Sequence, residues 1–300
     1  MLPLFAPEGS LVPRSVDGAV LHDPAGVADR VLRMVTEGRL TAIDGTEIAV
    51  EAESVCLHGD SPGAVAMAEA VRTARDDLAK GRVPWISFTF PYSWSDMAAG
   101  RGDAWARNLA AQFAQLDGPV WLAFHHEPEN DSGDVLQWRR AQERLAPIVR
   151  STAPNVAYTV ILMGYHQLYG RTDVYGLDRI WPRTTIDVLG IDPYNFYGAP
   201  NKTRDSSANL VKEYFEPIGS WARANSVEWG VAETGYTDRA FAEDPYWLQN
   251  TFKGLRANGG VAMSYFNAAP SSVSGDWLLD TSARLSAFAS TLQMTTRYRG

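Results

Sequence analysis

Six short runs of this 300-residue chain, at residues 83–90, 119–124, 156–163, 186–191, 227–232 and 260–266, are almost continuously apolar. A strand wet on one face alternates apolar and polar residues. Uninterrupted runs instead suit strands buried on both faces, as in a parallel sheet covered by helices. Two further strands, near residues 11–21 and 40–57, bring the expected count to eight. Eight strand–helix units in 300 residues are about 37 residues each, which fits a single (β/α)8 TIM barrel spanning 1–300, with 1–20 an irregular N-terminal extension. An open doubly wound sheet is the rival, but the chain has neither a G-x-G-x-x-G nor a P-loop glycine pattern.

The segments between these runs read as helices with legible starts. Asp23-Pro24, Ser61-Pro62 and Asp244-Pro245 each put a capping oxygen before a proline at the first helical position. Gly38, Gly81 and Gly259 stand where those three helices should stop. Further helices are expected over 103–116, 134–150, 206–224 and 281–293, the second of them bent by Pro147.

Charge and cysteine content narrow the function classes. Asp plus Glu number 35 against 27 Lys plus Arg, a formal charge of −8, which argues against nucleic acid or an anionic membrane as partner. Cys56 is the single cysteine, so no internal disulfide and no cysteine-rich zinc site can form. No stretch reaches the ~20 apolar residues of a membrane span. The first residues lack the basic and apolar regions of a secretory signal, so the compartment stays open, with an extracellular or phage-associated enzyme among the expectations.

In a barrel, chemistry gathers where strands end at their C-terminal side. His125, His126 and Glu127 follow the fourth barrel strand, Asp192, Pro193 and Tyr194 the sixth, and Glu233 the seventh. A charged side chain ending an apolar strand is costly without a purpose. The fourth and seventh strands face each other across an eight-stranded ring. Two carboxyl groups ~5–5.5 Å apart there would equip a retaining glycosidase with a nucleophile and an acid/base. Trp94, Trp138, Tyr165, Tyr197 and Trp277 are candidate platforms for sugar rings, with core or rim packing as their bland alternative, and Trp138 fits a helix face.

The segment Leu122-Ala123-Phe124-His125-His126-Glu127 resembles the acid/base segment of glycoside hydrolase family twenty-six, the β-mannanase-like members of clan A. Gly230 to Gly235 looks like the nucleophile segment, and Ile186 to Tyr194 is similar to the strand that supplies a tyrosine near the nucleophile. The similarity covers roughly residues 80 to 270. It implies a retaining, endo-acting glycosidase of a polysaccharide or oligosaccharide, β-mannan first. It also implies Glu127 as acid/base, Glu233 as nucleophile, Tyr194 donating to Glu233, and His126 on the substrate side. His126 can reach the site only if the strand twists or bulges at its end, because strict alternation puts it on the face opposite Glu127. No cofactor or metal is expected, and the enzyme is expected to be a monomer.

The chain departs from that family at Ala123, where an arginine is usual four residues before the acid/base glutamate. The alanine is expected to leave a space and to make linear mannan a poor substrate, with Arg101 a conjectural substitute for the lost charge. Two alternatives stay open. One is a carbohydrate-binding barrel without catalysis. The other is a metal-dependent hydrolase barrel drawing on His58, His125, His126, His166, Asp192 and Glu233, although the His-x-His usual on the first strand of such barrels is absent.

Overall fold

The computed structural model describes residues 2–3, 6–7, 12, 16, 20–21, 33, 37–49, 64–200, 202, 204–267 and 277–296. The chain divides into two compact units, Met1–Glu69 and Ala70–Gly300.

In the first unit, β1 (Leu2–Pro3) pairs antiparallel with β2 (Val20–Leu21), and β3 (Arg39–Thr41) pairs antiparallel with β4 (Glu47–Ala49). The loop 42–46 is closed by Ala42 N–H donating to Thr46 O at 2.7 Å and by an Asp44 carboxylate accepting from Thr46 N–H at 3.0 Å; Gly45 takes φ 90°. Asp-Gly in a tight turn folds the chain straight back, whereas a parallel neighbour would need a crossover of about a dozen residues or more. The strands expected near 11–21 and 40–57 as parallel members of a barrel are thus short and antiparallel where they are described. Most of the helix expected over 23–38, and Cys56 and His58, lie outside the described residues.

The second unit is α/β. Its sheet holds six parallel strands in the order β10-β9-β8-β7-β6-β5, where β5 is Trp85–Phe88, β6 Val120–Phe124, β7 Val156–Leu162, β8 Val188–Ile191, β9 Glu228–Val231 and β10 Gly260–Met263. Six of the expected eight strands are therefore present among the described residues. Their order never reverses, which a doubly wound sheet would require. The inner strands β6 to β9 are almost wholly buried, as uninterrupted apolar runs demand, and the outer β5 and β10 only partly so.

Helices connect the strands. They are α1 (Ala64–Ala79), α2 (Trp94–Ala99), α3 (Asp103–Phe113), α4 (Val135–Thr152), three single turns (α5 Tyr165–Leu168, α6 Thr172–Tyr175, α7 Leu177–Ile180), α8 (Glu216–Asn225), α9 (Asp238–Glu243), α10 (Trp247–Ala257) and α11 (Ser282–Leu292). Leu248, Phe252 and Leu255 form the buried face of α10, and Gly259 follows at φ 83°. Asp134 caps α4 by accepting from Leu136 N–H at 2.9 Å, and the helix runs on through Pro147. No helix among the described residues is long and apolar enough to cross a membrane.

One indole fills the middle of the sheet's inner surface. Trp85 packs against Ala123, Ile161 and Ala232, and its N–H donates to Thr159 Oγ1 at 3.0 Å. A Cβ on Gly190 would come within 2.8 Å of both Trp85 Cζ2 and Ile161 Cγ1, so the glycine is what lets the ring lie there. The space expected at Ala123 is therefore occupied from the neighbouring strand, and the specificity inferred from an empty pocket falls with it.

Candidate active site

β6 ends at Phe124, and the next three residues turn sharply. His125 has φ 52° and Glu127 has φ 48°, left-handed conformations that a non-glycine residue takes only when its surroundings impose them. Those surroundings are specific. Gln142 Nε2 donates to Phe124 O at 2.7 Å and Trp138 Nε1 to His125 O at 2.9 Å, both from the buried face of α4. From the sheet, His125 N–H donates to Phe88 O at 2.7 Å and Glu127 N–H to Ile161 O at 3.0 Å. The turn abolishes strict alternation, which is how His125, His126 and Glu127 all come to line one cleft of about 260 Å³ with Thr89, Asn130 and Asp131.

The two histidines have different partners. His125 is stacked on Phe90 and edge-on to Trp94. Its Nδ1 accepts from Phe90 N–H at 3.2 Å, so the proton sits on Nε2, which donates to Asp131 at 2.6 Å; the Trp94 indole N–H lies 3.0 Å from the same nitrogen. Burial lowers its pKa, in keeping with a neutral ring. His126 Nδ1 is 2.8 Å from Ser87 Oγ on β5.

The acidic groups form a second cluster. Asn130 donates to Glu127 Oε2 at 2.8 Å. Burial first, then Glu233 and Glu129, pushes the Glu127 carboxyl up to about 7. Glu129 is pushed up to about 7 by burial; its Oε1 accepts from Gln167 at 2.5 Å and Met163 N–H at 3.2 Å, while its Oε2 has no partner. Asp192 is buried, and burial first, then Glu233 and Glu127, raises its pKa well above the usual range.

Glu233 follows β9 between two ties to the β8 segment, Ala232 N–H to Ile191 O at 2.9 Å and the Thr234 hydroxyl to Pro193 O at 2.8 Å. The Tyr194 hydroxyl donates to Glu233 Oε2 at 2.8 Å, and burial together with Glu233 raises the phenol's pKa, so it stays a donor. Glu127, Glu233 and Tyr194 thus share one neighbourhood, while His126 lines the cleft beside Glu127.

The aromatic residues fare differently. Trp138 is fully buried as a backbone clamp. Trp277 is buried against Tyr194 and Phe196, and Tyr197 is buried under the Arg239 guanidinium. Trp94 is half-buried on His125, and Tyr165 is exposed beside His166 and Tyr169. Arg101 lies over Tyr92 and pairs with Asp96. Sequence reasoning passed over Asn130, Asp131 and Ser87 as site residues and took Asp192 only as a possible metal ligand, although Asp192 ends an apolar run just as Glu127 does. Among the described residues no group of three or more His, Cys, Asp or Glu is placed to hold a metal ion.

Comparison with known proteins gives two kinds of likeness. Residues 4–84 match the LamB/YcsF family. The chain is 60% identical over 68 residues to a 5-oxoprolinase subunit from Cutibacterium acnes and to its namesake from Mycobacterium leprae, which is 23% of this chain and 27% of each relative. The namesake from Kocuria rhizophila is 53% identical over 72 residues, 24% and 29%. The chain spans about a quarter of the length of the curated relatives it matches. Among solved structures, Thermotoga maritima Cel5A in complex with mannotriose superposes with a TM-score of 0.55 at 12% identity over 76% of this chain and 78% of that one. The cellulose synthase component CcsZ of Clostridioides difficile gives 0.53 at 16% identity over 74% and 80%. At such identities the likeness is one of fold alone. The sequence match therefore corrects the expectation of a family-twenty-six, β-mannanase-like glycosidase: the relatives carry the name of a different hydrolase. It also removes the expected polysaccharide substrate and the expected monomer, since those relatives are named as subunits.

Proposed function

We propose that the chain is a hydrolase of a carbon–nitrogen bond, with Glu127 as proton donor and Glu233 as the carboxylate that draws a proton from water. The observation that supports it most is a Glu127 carboxyl raised to about 7 next to a Glu233 anchored by the Tyr194 hydroxyl at 2.8 Å. One carboxyl is then protonated near neutrality and its neighbour held as an acceptor, the division that general acid–base chemistry needs. Water oxygen bonds to the carbonyl carbon while Glu233 takes one of its protons. The carbon–nitrogen bond breaks, its electron pair stays on nitrogen, and Glu127 supplies the proton. The products are a carboxylic acid and an amine, and solvent returns the proton from Glu233 to Glu127.

The substrate class rests on a different part of the chain. The likeness of residues 4–84 to LamB/YcsF proteins makes a cyclic amide, 5-oxoproline first, the substrate to test, and the relatives' designation as subunits brings a protein partner into the proposal. An eight-stranded closure of the sheet belongs to it as well, supported by six strands that progress in one direction.

The test follows glutamate released from 5-oxoproline, and amine released from a panel of linear amides. It uses the purified chain and the cleared extract of cells expressing it. Ring opening that Glu127→Gln lowers by about 100-fold or more is expected, the usual scale for losing a general acid. Absence of any amide hydrolysis in both preparations, or full activity in Glu127→Gln, refutes the reading.

A further inference from the structure

Arg284 is a cation that the proposed reaction does not use, and it lies inside the second unit with only 2% of its surface exposed. It stands on α11, outside the cleft. Its Nη1 donates at 2.7 Å to Asp238, whose side chain is 81% exposed, so this ion pair does not explain why the guanidinium is buried. Nη2 donates inward, to Tyr236 O at 2.8 Å and to the Tyr265 hydroxyl at 3.1 Å. A buried charge adds little stability over well-packed apolar side chains, whereas a planar fork of donors supplies direction.

Both inward bonds lead to Glu233. The carbonyls that follow it are received in turn: Thr234 O by Phe266 N–H at 2.8 Å, Gly235 O by Asn195 N–H at 2.9 Å, and Tyr236 O by Arg284, the one side chain of the three. The second route runs through rings. A hydroxyl has one hydrogen, and the Tyr265 hydroxyl, accepting from Arg284, spends its own on Trp277 O at 2.9 Å. The Trp277 ring centre is 4.9 Å from that of Tyr194. A Cβ on Gly235 would come within 3.1 Å of Trp277 Cδ2 and 3.2 Å of Tyr194 Cδ1, so both rings press on the backbone two residues after Glu233. Tyr194 in turn donates to Glu233 Oε2 at 2.8 Å.

We infer that Arg284 is a positioning residue for Glu233. It fixes Tyr236 O, and through the Tyr265 hydroxyl it seats Trp277 against Tyr194, so that the phenol stays aimed at the Glu233 carboxylate. The inference rests on the reading of Glu233 as the carboxylate that draws a proton from water. A misaligned base still leaves the substrate bound, so the loss falls on kcat rather than on KM.

Tyr265→Phe tests this in the full chain, because it removes one oxygen and leaves the ring on Tyr236 and Phe288. On 5-oxoproline, or on the linear amide that the parent chain hydrolyses best, kcat should fall about 5–10-fold with KM unchanged to within about 2-fold. In a Tyr194→Phe background, where Glu233 has already lost the phenol, the same substitution should change kcat by less than about 2-fold. Equal losses in both backgrounds, or an unchanged kcat in Tyr265→Phe, would overturn the inference. Arg284→Lys keeps a cation for Asp238 but not the fork, and should reproduce the loss in kcat; full activity there is a second refuting result. Carbon-13 NMR of the tyrosine Cζ carbons reads the phenol without any activity. The Tyr194 signal, assigned by its loss in Tyr194→Phe, should shift in both Tyr265→Phe and Arg284→Lys, and an unmoved signal refutes the positioning. If the unmodified chain hydrolyses no amide, the reading of Glu233 as a base fails, while the Tyr194 signal still decides whether Arg284 sets the bond between Tyr194 and Glu233.

Discussion

Replacing Glu129 by glutamine should make the protein more stable at high pH than at low pH relative to the parent chain. Oε1 of Glu129 is already satisfied by Gln167 and Met163, and Oε2 is buried with no partner. Burial raises the carboxyl from 4.5 to about 7. The folded state then holds a proton that the unfolded state releases. Stability from this group is fully present below about pH 4.5 and is lost as pH rises through about 7. A shift of about 2.5 units at ~1.4 kcal/mol each corresponds to ~3 kcal/mol over the whole range. Glutamine keeps an oxygen for both donors and removes the ionisation. Burying its NH2 without a partner costs something at every pH, so the informative quantity is the change between two pH values. Glu129→Gln should gain ~2–3 kcal/mol on the parent chain between about pH 5 and pH 8. Urea unfolding followed by tryptophan fluorescence measures it, and all 10 tryptophans lie at residue 85 or beyond, so the signal reports on the second unit. A difference between the two proteins that stays constant within about 0.5 kcal/mol across that range would refute the account of Glu129.

Gly190→Ala should lower stability by ~1–3 kcal/mol through its clash with Trp85 and Ile161, and Trp85→Leu in the same chain should recover part of the loss; an unchanged urea midpoint contradicts the packing described. Tyr194→Phe removes the hydroxyl that donates to Glu233 and leaves the ring on Trp277, so activity should fall about 10–100-fold while the unfolding midpoint barely moves; equal losses of both would make Tyr194 a packing residue only.

Much of the second unit was legible because burial on both faces leaves a one-dimensional trace. Each of the six apolar runs became a parallel strand, and the rule that a charge should not end such a run without reason led to Glu127 and Glu233. The first unit carries weaker patterning. Its Asp44-Gly45 turn is a local signal, but it sits inside a longer stretch that reads as one strand. The family match over residues 4–84 lies largely there, outside the segments whose motifs resemble a glycosidase. Ala123 misled because the residue that fills its space, Trp85, comes from another strand, and a comparison of motifs along one strand cannot see it. The aromatic platforms could not be sorted for a related reason. Whether Trp277 offers its face or buries it depends on Tyr194 and Phe196, which lie far from it in the chain.

The bend at His125 and Glu127 sets a limit on how this protein can be improved. Each left-handed residue stores about 1–3 kcal/mol that glycine would not. Glycine at either position should therefore fold more readily while giving up a ring or a carboxyl that the cleft is built around. Stability and chemistry are thus opposed at these two positions, and a search for hardier variants should drift toward inert ones unless activity is selected alongside. The residues free to compensate are Trp138 and Gln142 and their surroundings on α4, which hold the bend from behind without entering the cleft.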